Sequence, residues 1–248
     1  MTRTLKIDFV SDISCPWCAI GLAALEQALD KLKPELSAEL HFQPFEINPQ
    51  MPPGGQDIGE HLAQKYGSTP EQQAQIRDTI RQRGADVGFS FNLGGRGRIY
   101  NTLDAHRLLH WAGLEQPALQ PAADQLRTEQ SSLRATLGPS HKLKQALLAA
   151  CHTRSEDMES HAVLLRAVAQ AGLDAARASA ILQSDEFAAE VREREAFYTG
   201  AGIHSVPAVI INDQQLISGG QPAAVFEQAL RQIAAAAAKS RAQSPTGC

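Results

Sequence analysis

Four consecutive residues, Cys15-Pro16-Trp17-Cys18, sit at the junction between an apolar strand-like run, Leu5-Lys6-Ile7-Asp8-Phe9-Val10, and a helix-like run from Ile20 to Leu32. No other feature constrains the chain as strongly. Residues three apart on a helix are neighbours, so the second cysteine falls within reach of the first, and the pair reads as a dithiol able to close into a disulfide. Proline suits the first helical turn, where its missing N–H costs nothing and its ring stiffens the approach to Cys15.

A helix beginning at or beside Cys15 turns unpaired N–H groups and the positive end of its dipole toward that sulfur, which favours thiolate over thiol. Cys15 is therefore the expected nucleophile, and Cys18, shielded by the turn, the expected resolving thiol. Pro16 and Trp17 are expected to tune the pair. Because Trp17 carries no positive charge, the Cys15 pKa is expected below the ordinary value of about 8.5, yet less depressed than the roughly 3.5 of the most oxidising dithiols. Trp17 reads either as cover for the disulfide and an apolar contact for substrate, or as packing.

The 248 residues are 43% hydrophobic with a formal net charge of −4, an ordinary globular composition with ample core material. That balance, with no nucleic-acid-binding motif, argues against nucleic acid as a partner. The N-terminal residues run into the first strand without a signal-like apolar stretch, and no run approaches the roughly 18 apolar residues of a membrane span. The expectation is a cytoplasmic protein with no membrane partner. In a reducing compartment a Cys-X-X-Cys pair is catalytic or metal-binding more often than structural. Four cysteines are present, Cys15, Cys18, Cys151 and Cys248, but Cys151-His152 is adjacent rather than at ligand spacing, so no metal is expected. Cys151 reads as a small buried hydrophobe. Cys248 is open between a second redox thiol and an idle terminal one.

Along the chain, strands are expected at Lys6–Ser11 and Ala38–Phe45 around the first helix, a βαβ unit. After Pro-rich turns the pattern is helical at Ile58–Tyr66, Pro70–Val87, Asn101–Ala112, Gln116–Thr128, His141–Cys151, Glu159–Ala171, Asp174–Gln183 and Asp185–Thr199. Strands return at Ala208–Asn212 and Gln215–Ser218, and a last helix spans Pro222–Lys239. Ser68-Thr69-Pro70-Glu71 and Ser184-Asp185-Glu186 look like capped starts, and Gly84, Gly172 and Gly200 like stops or breaks. Gly94-Gly95-Arg96-Gly97-Arg98 lacks the Gly-Lys-Ser/Thr ending of a phosphate loop and reads as a turn. Residues 1–52 and 184–240 are thus expected to form one discontinuous α/β domain, residues 53–183 a helical insertion, and residues 241–248 a flexible tail.

A second signal is Gly202-Ile203-His204-Ser205-Val206-Pro207-Ala208, where a proline directly precedes a strand. Taken with the dithiol after the first strand, this resembles the thioredoxin fold, and the long helical insertion narrows the resemblance to the DsbA family of thiol-disulfide oxidoreductases. Asp8 to Gly21 around the tetrad, Phe45-Glu46-Ile47-Asn48-Pro49 with Met51-Pro52, Asn101 to Leu108, Val206-Pro207 and Ser218-Gly219-Gly220-Gln221-Pro222 look like its FrnE branch. The resemblance covers nearly the whole chain. It implies a thioredoxin-like fold with a large all-helical insertion and a cis Val206–Pro207 bond, with the Val206 backbone offered to substrate. The chain departs from that branch in extra residues around Glu115 to Pro139 and in lacking an aromatic-rich segment at Cys151-His152.

The same resemblance brings a rival chemistry, since the branch is related to glutathione-dependent 2-hydroxychromene-2-carboxylate isomerases and kappa-class glutathione transferases. Those enzymes typically carry serine where this chain has Cys15. A non-enzymatic binding protein is a third reading, against which the intact dithiol argues. Asp8 reads either as a semi-buried acid exchanging protons with Cys18 or as a solvated strand acid. Asn101 and His106, with Val206 and Pro207, are expected to border the substrate cleft. His204 reads as a solvated loop histidine. The expected partner is a disulfide- or dithiol-containing protein or a small thiol, with no obligatory cofactor, glutathione a candidate redox partner, and a monomer or homodimer.

Overall fold

The computed structural model describes residues 3–33, 35–115 and 138–243. The helix expected at Gln116–Thr128, most of the extra residues after Glu115, and Cys248 lie outside these described residues.

Strand β1 (Arg3–Ser11) alternates its side chains between two apolar clusters: Leu5, Ile7 and Phe9 enter the main core, while Val10 packs with Tyr198, Ile203 and Ala208. Helix α1 (Pro16–Leu32) follows and carries the chain into β2 (Leu36–Pro44), which pairs parallel with β1 from Arg3↔Leu36 to Ser11↔Pro44. This is the expected βαβ unit. Strand β5 (Ala208–Ile211) returns antiparallel on the other edge of β1, and β6 (Gln215–Ser218) pairs antiparallel with β5, giving the order β2-β1-β5-β6. Asn212 leaves the expected strand because it and Asp213 adopt positive φ, which these two residue types tolerate in turns.

The final helix, called α9 (Ala223–Gln243), packs along α1, its Phe226 and Leu230 joining Leu22, Leu25 and Leu29 in the core. Burying each such side chain is worth roughly 1.5–3 kcal/mol, which holds the dithiol helix against the sheet.

Between β2 and β5 the chain forms β3 (Gln56–Asp57), α2 (Ile58–Tyr66), α3 (Pro70–Asp86), β4 (Arg98–Ile99), α4 (Leu103–Leu114) and α5 (Pro139–Leu148). A π-helical turn (Ala149–Thr153) extends α5, followed by α6 (His161–Gln170), α7 (Ala175–Leu182) and α8 (Ala188–Gly200). The architecture is the expected α/β thioredoxin-like fold with a large helical insertion. A two-residue antiparallel ladder, β3 with β4, adds a small sheet to the insertion that is too short to leave a periodic signal.

The capped start at Thr69 is realised as a reciprocal capping box with Gln72. Gly172, at φ 76°, ends α6 as expected. Gly84 is no stop: it lies inside α3, where a β-carbon would come within 2.7 Å of the Phe89 carbonyl oxygen and 2.5 Å of the Phe91 ring. The capped start at Ser184 falls short as well, since Ser184 Oγ accepts from Glu186 N and α8 begins only at Ala188.

Candidate active site

Cys15 is the N-cap residue of α1, with φ −84° and ψ 116°, and Pro16 opens the helix, so the tetrad wraps its first turn. Cys18 is fully buried and Cys15 nearly so, and both are free thiols. The Val206–Pro207 bond is cis, and the Val206 carbonyl oxygen lies 3.7 Å from Cys15 Sγ. Two glycines allow this approach. A β-carbon on Gly21 would lie 2.9 Å from Pro207 Cγ, and one on Gly220 would lie 3.0 Å from the Trp17 carbonyl oxygen. The half-buried Trp17 lies against that Gly220 turn, which is further tied to α3 by Arg83 donating to the Gly220 carbonyl at 3.2 Å.

The three residues that lead from β1 to Cys15 are each held by a different part of the chain. Asp12 Oδ1 accepts from Ser14 N at 3.0 Å and from Thr102 Oγ1 at 2.9 Å, and Asp12 Oδ2 accepts from Ile47 N at 2.8 Å. The Ile13 carbonyl accepts from His152 Nε2 at 2.9 Å. Arg96 donates to the Ser14 carbonyl at 3.2 Å and to Ser14 Oγ at 3.0 Å, and its Nη1 lies 3.2 Å from His152 Nδ1. A carbonyl can only accept and a guanidinium can only donate, so His152 carries its proton on Nε2 and is neutral. Burial, reinforced by the Arg96 charge, holds the His152 pKa well below its ordinary value.

The two thiols are driven apart in acidity. The Cys15 pKa is lowered, first by the Cys18 thiol donating to it and then by the backbone N–H groups of Cys18 and Trp17, against the opposing effects of burial and the Asp12 carboxylate. The N–H contribution is the one expected from a helix start; the larger thiol contribution comes from how closely the turn brings the sulfurs together. Burial together with the Cys15 sulfur pushes Cys18 well above the ordinary thiol range. Burial alone would raise Asp12, but the His106 ring at 3.6 Å and the N–H groups of Ile47 and Ser14 outweigh it and hold this acid below its usual value. Glu46, in the same loop as Ile47, is buried with one carboxylate oxygen lacking a hydrogen-bond partner, and burial beside Glu195 raises it to about 7 despite its pairing with Arg192.

Of the residues read from the sequence, the tetrad, Val206 and Pro207 converge on one site. Asp8 does not join them: it lies on the Val10 face of β1, where Lys6 Nζ approaches its Oδ2 at 3.2 Å and Gln43 Nε2 donates to its Oδ1 at 2.6 Å. The acid beside the dithiol is Asp12, four residues on. Asn101 is occupied in starting α4, its Oδ1 accepting from Leu103 N at 2.8 Å while its own N–H donates to Glu159. His106 is buried, its Nε2 3.6 Å from Asp12 Oδ1, and lines a small cavity with Phe42, Gln43 and Pro44. His204 is exposed. Arg96, Thr102, His152 and the buried Lys144 complete the surroundings of the site without a motif of their own in the sequence. The only signals for them were the glycines flanking Arg96 and a lysine and a histidine set in the apolar run Leu143 to His152. Among the described residues no group of three or more His, Cys, Asp or Glu is placed to hold a metal, and no helix is long and apolar enough to cross a membrane.

A sheet of this order, a dithiol at the first helix start and a proline turn against it define a thioredoxin-like redox scaffold. The DSBA-like thioredoxin domain model matches residues 6–137 and 131–231, and the chain belongs to this family. A probable DsbA oxidoreductase from Streptomyces coelicolor is 29% identical, with a TM-score of 0.74 over 92% of this chain and 89% of that one. A 2-hydroxychromene-2-carboxylate isomerase shares the fold at 11% identity and a TM-score of 0.59, covering 94% and 98% of the two chains. So does the cytosolic disulfide reductase DsbM of Pseudomonas aeruginosa, solved with glutathione, at 16% identity and a TM-score of 0.56, covering 91% and 99%. No curated protein sequence matches the chain.

Proposed function

We propose that this protein is a thiol-disulfide oxidoreductase in which Cys15 is the nucleophile and Cys18 the resolving thiol. The observation that carries the reading is the divergence of two adjacent thiols on one helical turn: the first lowered toward the reactive thiolate, the second buried and held protonated. The Cys15 thiolate attacks one sulfur of a substrate disulfide, the substrate S–S bond breaks, and the departing sulfur takes up a proton. Cys18 then attacks Cys15, closing the Cys15–Cys18 disulfide and releasing the second substrate thiol. The reverse sequence oxidises a dithiol. The Val206 carbonyl borders the Cys15 sulfur, and Val206 and Pro207 are assigned to substrate contact, with Pro16 and Trp17 tuning the pair.

The substrate class is a disulfide- or dithiol-containing protein or a small-molecule thiol, and glutathione is the proposed redox partner. In a reducing cytoplasm, the compartment we assign, the pair rests mainly reduced and the work is reductive or isomerising. Residues 1–52 with 184–240 are taken as the redox domain and 53–183 as the insertion that shapes access to it.

The test is the Cys15–Cys18 potential, measured by equilibration with glutathione buffers and mass spectrometry, with C15S as control. A reversible two-electron transition between about −270 and −120 mV, lost in the control, supports the reading. Thiols that stay reduced while glutathione binds tightly would replace it with glutathione-dependent isomerase or transferase chemistry.

A further inference from the structure

Helix α5 is tied at both ends to α1 and the loop that precedes it. At one end Glu26 of α1 pairs with His141 at 2.5 Å and accepts from Gln145 Nε2 at 2.7 Å. At the other, the π-helical turn that extends α5 delivers His152 to Ile13, just ahead of Cys15. Along the chain Cys18, fully buried on α1, lies between the two tied positions Ile13 and Glu26, just as the α5 stretch between these ties lies between His141 and His152. That stretch carries Lys144, the one lysine that is buried among the described residues, at 1% exposure. Its ammonium lies 6.0 Å from the Phe42 ring centroid, a contact that orders the side chain but neutralises no charge. Glu26, the acid that ties α5 to α1, is engaged by His141 and Gln145.

A lysine is kept out of water at a cost of several kcal/mol unless its charge is used. We propose that Lys144 is a positioning residue for the dithiol, its ammonium compensating the Cys18 thiolate that forms when the mixed disulfide is resolved. The inference rests on the dithiol reading above. In the resolving step the Cys18 sulfur bonds to Cys15 Sγ, the Cys15–substrate S–S bond breaks with its electron pair on the substrate sulfur, and the Cys18 proton ends on that departing thiol. Between those events a negative sulfur stands in a buried site that otherwise disfavours it, and Lys144 is the buried cation whose charge favours it.

The acidities agree with the geometry. Burial brings Lys144 down to about 8, while Cys18, Asp12 and Cys15 pull it back up, so the ammonium predominates at neutral pH. In return its charge lowers Cys18, against the burial and the Cys15 sulfur that push the thiol up. The negative charges that act on Lys144 are thus the two sulfurs and Asp12. Asp12 is already bonded to Ser14, Ile47 and Thr102, which leaves the ammonium to answer the sulfurs.

The test uses reduced full-length protein mixed with one equivalent of the aromatic disulfide 5,5′-dithiobis(2-nitrobenzoate). Attack by Cys15 releases the first nitrothiolate and resolution by Cys18 the second, so the two steps are read separately. In K144M the first phase is expected within about threefold of the wild-type rate and the second slowed about tenfold or more, with K144R recovering most of it. A folded K144M whose second phase matches the wild type overturns the proposal, as does a folded K144R as slow as K144M. K144Q replaces K144M if the methionine variant does not fold, and the K144R comparison decides by itself if neither neutral variant does. A wild-type protein that releases a single equivalent, like C18S, instead sinks the dithiol reading on which this rests.

Discussion

His152 Nε2 donates to the carbonyl oxygen of Ile13 at 2.9 Å, a bond spanning 139 residues that ties the end of α5 to the loop presenting Cys15. The insertion therefore does more than cover the redox domain. It fixes the backbone from which Cys15 projects, and the π-helical turn aims the ring by shifting the register of the last helical residues.

His152→Leu is expected to cost about 1–3 kcal/mol, because it leaves a buried carbonyl and one arm of Arg96 without their partner. The folded-state pKa of His152 is depressed, so in acid the unfolded chain takes up a proton that the folded one refuses. Stability from this residue is complete above the ordinary histidine value of about 6.5 and is lost below it, by up to about 1.4 kcal/mol per pH unit. Urea denaturation from pH 5 to pH 7.5 should show the gap between wild type and H152L closing as pH falls. A constant gap would mean that the ring is not held neutral.

Gly21→Ala reverses the usual expectation. In an exposed helix interior alanine is worth up to about 1 kcal/mol over glycine. Here the added carbon would meet Pro207 Cγ at 2.9 Å, a rigid ring on the turn that faces the dithiol. The substitution should destabilise by about 1–3 kcal/mol and slow iodoacetamide alkylation of Cys15, as α1 and the Val206–Pro207 turn are pushed apart. A stabilised G21A with unchanged alkylation would show that the close packing is dispensable.

Asp12→Asn turns one acceptor into a donor facing groups that themselves donate, at an expected cost of about 2–4 kcal/mol. Thr102→Val removes one of these bonds and should cost about 1 kcal/mol. The Asp12 carboxylate also opposes the Cys15 thiolate, so D12N should lower the Cys15 pKa, read from thiolate absorbance at 240 nm. Because Asp12 is depressed in the folded state, its contribution is present above about pH 4 and lost as pH falls through the folded value. A Cys15 pKa that rises in D12N would show that the acid works through the loop's shape rather than its charge.

The redox centre was legible in the sequence because it is local. Cys15 to Cys18 need only a strand before them and a helix after them, and the alternation of β1 and the apolar spacing of α1 state both within thirty residues. The four strands of the main sheet were legible from the βαβ unit and the returning pair after Pro207, while their order β2-β1-β5-β6 came from the pairing in the fold. What escaped was whatever depends on which face meets which. Asp8 and Asp12 both flank the tetrad in sequence, yet only the direction of β1 and the turn after it send Asp12 toward the thiols and Asp8 toward Lys6 and Gln43. Gly84 reads as a helix stop because its need for a bare α-carbon comes from Phe89 and Phe91, which no local pattern connects to it.

The sequence by itself thus determined the pairing of two cysteines at a helix start, since that requires only neighbours along the chain. The tertiary structure alone decided its surroundings: Arg96 on Ser14, His152 on Ile13, Thr102 on Asp12, and Lys144 buried over the Phe42 ring. Each of these is a polar side chain whose solvation is given up for a partner far away in sequence, and such an exchange exists only once helices and sheet have packed.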